Sequence, residues 1–141
     1  MAQQLKDIMT KQTHCLSPES TLQEASNEMR ENDFGFLPLQ EKGKLVGVVT
    51  DRDIIVKGIA KGLSPKSHLK EVMTKDVCTT HENEDINAAA KLMEEKQIRR
   101  LVVLDKDDKI TGVISLGDIA TKCHETHMSG EIIQCISEET H

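Results

Sequence analysis

Aromatic residues are almost absent from this chain. Its 141 residues hold Phe34 and Phe36, with neither tryptophan nor tyrosine. A core must therefore be assembled from Ile, Leu, Val, Met and Ala. Positive charge is also short: Lys and Arg number 18 against 24 Asp and Glu, a formal net charge of −6. That balance removes the basic footprint of a nucleic-acid binder, and no helix-turn-helix pattern accompanies it. No apolar run approaches the ~20 residues of a membrane-spanning helix, and the opening MAQQLKDIM lacks a secretory apolar stretch. Cys15, Cys78, Cys123 and Cys135 show neither a Cys-x-x-Cys pair nor a framework spacing, so reduced thiols in a cytoplasmic protein are expected. The P-loop, GxGxxG, HExxH and GxSxG signatures are all missing. The length suits one compact module, able to bury roughly two-thirds of its unfolded surface without staples.

What the chain does have is a duplication. Leu5 falls on Leu69, Met9 on Met73, Thr10 on Thr74, Ala25 on Ala89, Met29 on Met93 and Leu37 on Leu101. One extra residue in the second copy then shifts the register, and Gly47 falls on Gly112, Asp53 on Asp118 and Ile54 on Ile119. Two copies are too few for a solenoid, which needs about three. A duplicated globular unit with a pseudo-twofold axis is expected, with a ligand cleft between the copies. The repeats are drawn at 1–62 and 69–128, joined by a linker at 63–68 and followed by a tail at 129–141 carrying Ile132, Ile133 and Ile136 as a last short helix.

Each copy shows the same order of signals. A short helical turn, Leu5 to Thr10, leads into an extended stretch, Thr13 to Ser17. Thr21-x-x-Glu24 is a capping box for a helix with Leu22, Ala25 and Met29 on one face. Strands at Phe36–Gln40 and Leu45–Thr50 flank a polar turn, as in a hairpin. A helix from Asp51 to about Lys61 follows, with Gly62 as its stop. The second copy predicts a strand near Val77–Thr80, a helix over about Asp85–Lys96, strands at Leu101–Leu104 and Lys109–Ser115, and a helix from Leu116. The fold class is α/β (α+β), two β-α-β-β-α repeats.

Two constellations could carry chemistry. The first is Gly-φ-φ-[Ser/Thr]-x-x-Asp, with φ apolar, at Gly47 to Asp53 and at Gly112 to Asp118. Taken alone, each is an ordinary helix cap. Taken as a nucleotide site, the hydroxyls of Thr50 and Ser115 meet a phosphate at a helix start. Asp53 and Asp118 then accept from two ribose hydroxyls, and the glycine permits close backbone approach. The second constellation is Phe34-Gly35-Phe36-Leu37-Pro38 and its counterpart Ile98-Arg99-Arg100-Leu101-Val102, whose apolar members can sandwich a flat base. Of four arginines, Arg52, Arg99 and Arg100 fall in or beside these motifs and only Arg30 lies elsewhere, a local bias towards anions. Solvent-facing arginines that protect a strand edge are an alternative of equal weight.

Other groups carry less. Cys123, His124 and His127, with Cys135 or His141, could hold a metal, although an exposed polar helix end is the preferred reading. Cys15 and Cys78 lie on corresponding first strands and read as small buried hydrophobes rather than a redox pair. The acidic run Glu82-Asn83-Glu84-Asp85 suits a helix N-terminus.

Taken together, the paired LKxxMT openings, Phe36-Leu37-Pro38-Leu39, Ile98-Arg99-Arg100-Leu101, Val48-Val49-Thr50-Asp51-Arg52-Asp53-Ile54 and Ile114-Ser115-Leu116-Gly117-Asp118-Ile119 resemble a tandem cystathionine-β-synthase (CBS) domain pair, the Bateman module. The chain is similar to small stand-alone bacterial proteins of that kind over about residues 5–125. The family often has proline where Val102 stands. The resemblance implies an adenosyl compound (AMP, ADP, ATP, S-adenosylmethionine or NAD) between the copies, with Asp53 and Asp118 on ribose and Thr50 and Ser115 on phosphate. It implies a regulatory ligand-sensing module that is not an enzyme and has no catalytic cofactor. It also implies a homodimer, which the apolar stretch Ile54-Ile55-Val56-Lys57-Gly58-Ile59-Ala60 supports. A regulated effector would be a separate protein, and neither nucleic acid nor membrane is a partner. The alternatives are a nucleotide-processing enzyme, or a partner-binding scaffold that holds no nucleotide.

Overall fold

A computed structural model of the chain describes residues 3–11 and 15–122. They form two compact units, one made of residues 15–77 and the other of residues 3–11 with 78–122. The expected tail helix, and with it Cys123, His124, His127, Cys135 and His141, lies outside the described residues.

In the first unit, α2 (Leu22–Asn32) starts where the Thr21 hydroxyl accepts the Glu24 amide at 3.1 Å. It buries Leu22 and Ala25, with Met29 packed beside them. It ends at Asp33, in the left-handed region at φ 53°. A hairpin follows, β2 (Phe36–Glu41) with β3 (Lys44–Thr50), antiparallel, with Leu37 opposite Val49 and Phe36 opposite Thr50. Directly opposed residues of an antiparallel pair share one face of the sheet. Leu37, Leu39 and Val49 accordingly join Leu22, Ala25, Ile54, Leu69 and Val72 in the core.

The segment 63–68 is more than a connector. The Leu22 and Gln23 amides, which no helical carbonyl can reach, donate to the Ser67 and Pro65 carbonyls at 3.0 Å each. Leu63 also packs against the core.

The second helix of this copy departs from the expected plain α-helix. Its middle, Asp53–Gly58, is wound as a π-helix, and Ile59–Lys61 tightens to a 3-10 turn. Two features of the sequence bear on this. Gly58 weakens a regular helix, and it lies so close to Leu22 that a Cβ there would sit 2.8 Å from Leu22 Cδ2. Gly62, at φ 87°, ends the helix as expected.

The other unit repeats the plan with a fuller sheet. Its four strands run in the order β1 (Thr10–Lys11), β6 (Ile110–Ser115), β5 (Arg100–Leu104), β4 (Thr79–His81). β4 pairs parallel with β5, and β5 and β6 form the hairpin. The Asp85 carboxylate caps α3 (Ile86–Lys96) by accepting the Asn87 amide at 3.1 Å. Ile86, Ala89, Ala90 and Met93 of α3 meet Leu101, Val103 and Ile114 of the sheet. Leu116 and Ile119 of α4 (Leu116–Lys122) close the core.

The units cut the chain differently from the sequence repeats because the two openings are exchanged. Leu5 and Ile8 of α1 (Leu5–Ile8) are core residues of the second copy's unit. Their counterparts Leu69 and Val72 are core residues of the first copy's unit. Each Met-Thr segment adds an edge to the hairpin there, with Thr10 opposite Val113 and Thr74 opposite Val48.

Candidate ligand site

The hairpins leave one face apart from the core of each unit. In the first copy that face carries Phe36, Pro38, Val48 and Thr50, and in the second Arg100, Val102, Val113 and Ser115. Register makes Phe36 the cross-strand neighbour of Thr50, and Arg100 that of Ser115.

At the end of each face stands the repeated turn of the duplication, and the two turns have the same geometry. The Asp53 amide donates to Thr50 Oγ1 at 3.0 Å, and the Thr50 amide donates to Asp53 Oδ2 at 3.0 Å. The Asp118 amide donates to Ser115 Oγ at 3.0 Å, and the Ser115 amide to Asp118 Oδ2 at 3.0 Å. This reciprocal arrangement satisfies two amides that a helix start would otherwise leave without acceptors. Each hydroxyl oxygen accepts here, which leaves its own proton for another acceptor.

Asp53 is 8% exposed, and its second oxygen meets Lys57 Nζ at 3.1 Å. Lys57 also reaches Thr74 Oγ1 at 3.4 Å. The lysine four residues after Asp53 is an ordinary helix-pair spacing, yet the sequence reading passed over it. It also missed Asp51, whose carboxylate lies directly over Gly35. A Cβ on Gly35 would stand 2.5 Å from Asp51 Cγ. The Asp51 amide donates to the Gly35 carbonyl at 3.0 Å, as the Leu116 amide does to that of Arg99 at 2.8 Å. The absence of a side chain at 35 was the available signal.

The other expected residues divide. Phe36 and Pro38 are buried on the non-core face, and Arg52, Arg99 and Arg100 are exposed. Ile98 is half-buried and packs against the core. Leu37 and Leu101, expected to line a ligand, instead point into the cores of their own units, because strand alternation sends them opposite to Phe36 and Arg100. The motif glycines also have a role other than the one expected. A Cβ on Gly112 would meet the Thr10 carbonyl oxygen at 2.5 Å and Met9 Sδ at 2.9 Å. One on Gly47 would meet the Thr74 oxygen at 2.9 Å and Met73 Sδ at 3.3 Å. The glycines admit the exchanged Met-Thr segments.

Cys15 and Cys78 are half-buried free thiols, and burial raises the pKa of Cys15. Among the described residues no cluster of His, Cys, Asp and Glu could hold a metal. An open groove of about 460 Å³ beside β4, lined by Thr80, His81, Lys91 and Glu95 among others, contains none of the candidate site residues. Thr80 is the one buried polar residue among those that line it, whereas the two turns repeat one geometry, so the turns remain the better candidates.

Comparison with known proteins identifies the family. The CBS domain family profile matches residues 5–58 and again 69–125. The chain is 34% identical over 135 residues to the CBS domain-containing protein YhcV of Bacillus subtilis, spanning 96% of each. It resembles the solved CBS domain pair of protein MJ0100 in complex with 5′-methylthioadenosine and S-adenosyl-L-methionine, with a TM-score of 0.74, 28% identity, and coverage of 85% of this chain and 94% of that one. It also resembles the hexameric CBS-CP12 protein of bloom-forming cyanobacteria, with a TM-score of 0.76, 27% identity, and coverage of 90% and 75%. The twofold match, the twin hairpins and the paired hydroxyl–carboxylate turns lead to one conclusion: this chain belongs to the CBS domain family and carries two CBS domains in tandem.

Proposed function

We propose that the protein is a regulatory, non-catalytic sensor that binds adenosyl compounds, drawn from AMP, ADP, ATP, S-adenosylmethionine and NAD. Asp53 and Asp118 take ribose hydroxyls, and Thr50 and Ser115 donate to the first phosphate. Arg52, Arg99 and Arg100 supply positive charge, and Phe36, Pro38 and Ile98 offer apolar surface to the base. The observation that carries this reading is the paired turn, built twice with all four hydrogen bonds at 3.0 Å. The adenosyl ligands of a neighbour of the same fold support it. It acts in the cytoplasm on a separate effector protein. It works as a homodimer, joined through the exposed apolar residues Ile55, Val56 and Ile59. Among the described residues no helix is long and apolar enough to cross a membrane.

Mass spectrometry of small molecules released from the natively purified protein tests the reading. An adenosyl compound at a sizeable fraction of the protein concentration is expected. Its absence, together with no heat on titration of AMP, ATP, S-adenosylmethionine and NAD, would leave a partner-binding scaffold. One observation favours that second reading: both Asp53 oxygens already have protein partners. A third outcome, repeated turnover of ATP, AMP or NAD above a boiled control, would favour a nucleotide-processing enzyme.

A further inference from the structure

The two turns are alike in backbone and unlike in charge. The cross-strand neighbour of the Ser115 hydroxyl residue is Arg100, while that of Thr50 is Phe36. Opposed Cβ atoms in such pairs lie about 4.5–5.5 Å apart, so the residue opposite helps decide what the hydroxyl can share. A second pair of positions differs in a coordinated way. Where Leu116 donates its amide to the Arg99 carbonyl, Asp51 donates its amide to that of Gly35. Leu116 is buried at 7% exposure, and Arg99, whose carbonyl its amide meets, carries a long basic side chain. Asp51 is exposed, and its carboxylate fills the space over Gly35 that any side chain at 35 would need. Arg52 follows Asp51 and offsets its charge, whereas Gly117 follows Leu116. Across these matched positions the second copy has two arginines and no carboxylate, and the first has one of each charge.

We infer that the two turns take different ligand classes: the Ser115–Asp118 turn a phosphorylated nucleoside, and the Thr50–Asp53 turn a nucleoside whose 5′ substituent is uncharged or cationic, such as a thioether or a sulfonium. The inference rests on the adenosyl reading and narrows it: Ser115 keeps the phosphate, whereas Thr50 and Arg52 meet a 5′ substituent that carries none. Arg100 recognises phosphate as a planar multidentate donor. In the first copy Asp51 cancels the charge of Arg52, and Phe36 puts no cation opposite Thr50. Gly35 is the steric condition for Asp51 to hold its place.

Calorimetric titration of the full chain with ATP and, separately, with 5′-methylthioadenosine tests this at low salt, where exposed charges are least screened. Arg100→Gln should weaken ATP about tenfold and leave 5′-methylthioadenosine unchanged. Asp118→Ala should remove the tight ATP site, and Asp53→Ala the 5′-methylthioadenosine site. Asp51→Asn, an exposed exchange of equal size, should raise ATP affinity in the Asp118→Ala protein about fivefold. That gain should shrink in ~0.5 M salt, as a charge effect does and a steric one does not. Equal loss of both ligands in Arg100→Gln, or no gain from Asp51→Asn, overturns the inference and leaves the adenosyl reading standing. If neither ligand binds the wild type, the adenosyl reading falls and takes the inference with it. Arg100 and Asp51 are exposed, so their variants keep the test open even where an alanine variant fails to fold.

Discussion

Gly112→Ala should cost far more than a single methyl group suggests. The added Cβ would stand 2.5 Å from the Thr10 carbonyl oxygen and 2.9 Å from Met9 Sδ. Carbon and carbonyl oxygen in adjacent strands come no nearer than about 3.3 Å, so the short strand β1 must retreat by roughly 0.8 Å. Methionine can move aside, but a backbone carbonyl in a strand pair cannot without loosening the pair. Overpacking of this kind costs about 1–3 kcal/mol, and retreat of β1 also strains the Leu5 and Lys6 amides, bonded to Glu84 and Glu82 carbonyls. The lower entropy of the unfolded chain returns about 0.4–1 kcal/mol. A net loss of about 1–2 kcal/mol corresponds to a melting temperature lower by roughly 4–7 °C at this size. Gly47→Ala, with 2.9 Å to Thr74 oxygen, should lose about half as much. Thermal unfolding followed by circular dichroism gives the magnitude, and amide hydrogen exchange gives the place. Leu5 and Lys6 should lose protection in Gly112→Ala and keep it in Gly47→Ala. A melting temperature within about 1 °C of wild type, with Leu5 and Lys6 still protected, would refute the argument that these glycines exist to admit the exchanged segments.

Gly35→Ala should be cheap by contrast, under about 1 kcal/mol by thermal melting, because the atom displaced is the end of an exposed side chain, Asp51. A loss comparable to that of Gly112→Ala would mean that Asp51 is fixed. Burial raises the Cys15 thiol pKa, so less of it is thiolate at any given pH. The rate of Cys15 alkylation against pH should therefore rise at higher pH than for a free cysteine, as mass-resolved labelling would read. Ile59 is 54% exposed, so Ile59→Asp should leave the melting temperature within about 2 °C when the assembly is dilute. It should convert the proposed dimer to a monomer in light scattering; a wild type that is already monomeric at micromolar concentration contradicts the dimer.

The duplication made most of the fold legible. The capping residue Thr21, the helix stop Gly62 and both hairpins stand where periodicity and turn chemistry put them. Three things were not legible, each for a physical reason. The exchange of Leu5 and Ile8 for Leu69 and Val72 is invisible because the copies are alike, so either opening fits either core by pattern alone. The π-helical winding at Asp53–Gly58 ends at Gly58, whose close approach to Leu22 is a tertiary contact that no local pattern announces. The core positions of Leu37 and Leu101 follow from strand phase. Both strands are apolar on two faces, which leaves no alternation to read. The hydroxyl and carboxylate of each candidate site were found because the motif occurs twice. Lys57 and Asp51 were missed because their importance depends on what stands beside them in space.

The central claim is that Asp53 and Asp118 hold a ligand as well as cap a helix. Isothermal titration of an adenine-nucleotide panel into wild type, Asp53→Ala, Asp118→Ala and the double variant, each checked for a preserved fold, measures this most directly. Loss of charge-assisted hydrogen bonds worth about 1.5–3 kcal/mol should weaken binding by roughly tenfold or more at the altered copy. The double variant should then show no binding at concentrations that saturate the wild type. Loss of about 1 kcal/mol of stability from each cap, with affinity in the double variant unchanged, would contradict the claim and leave these residues as helix caps.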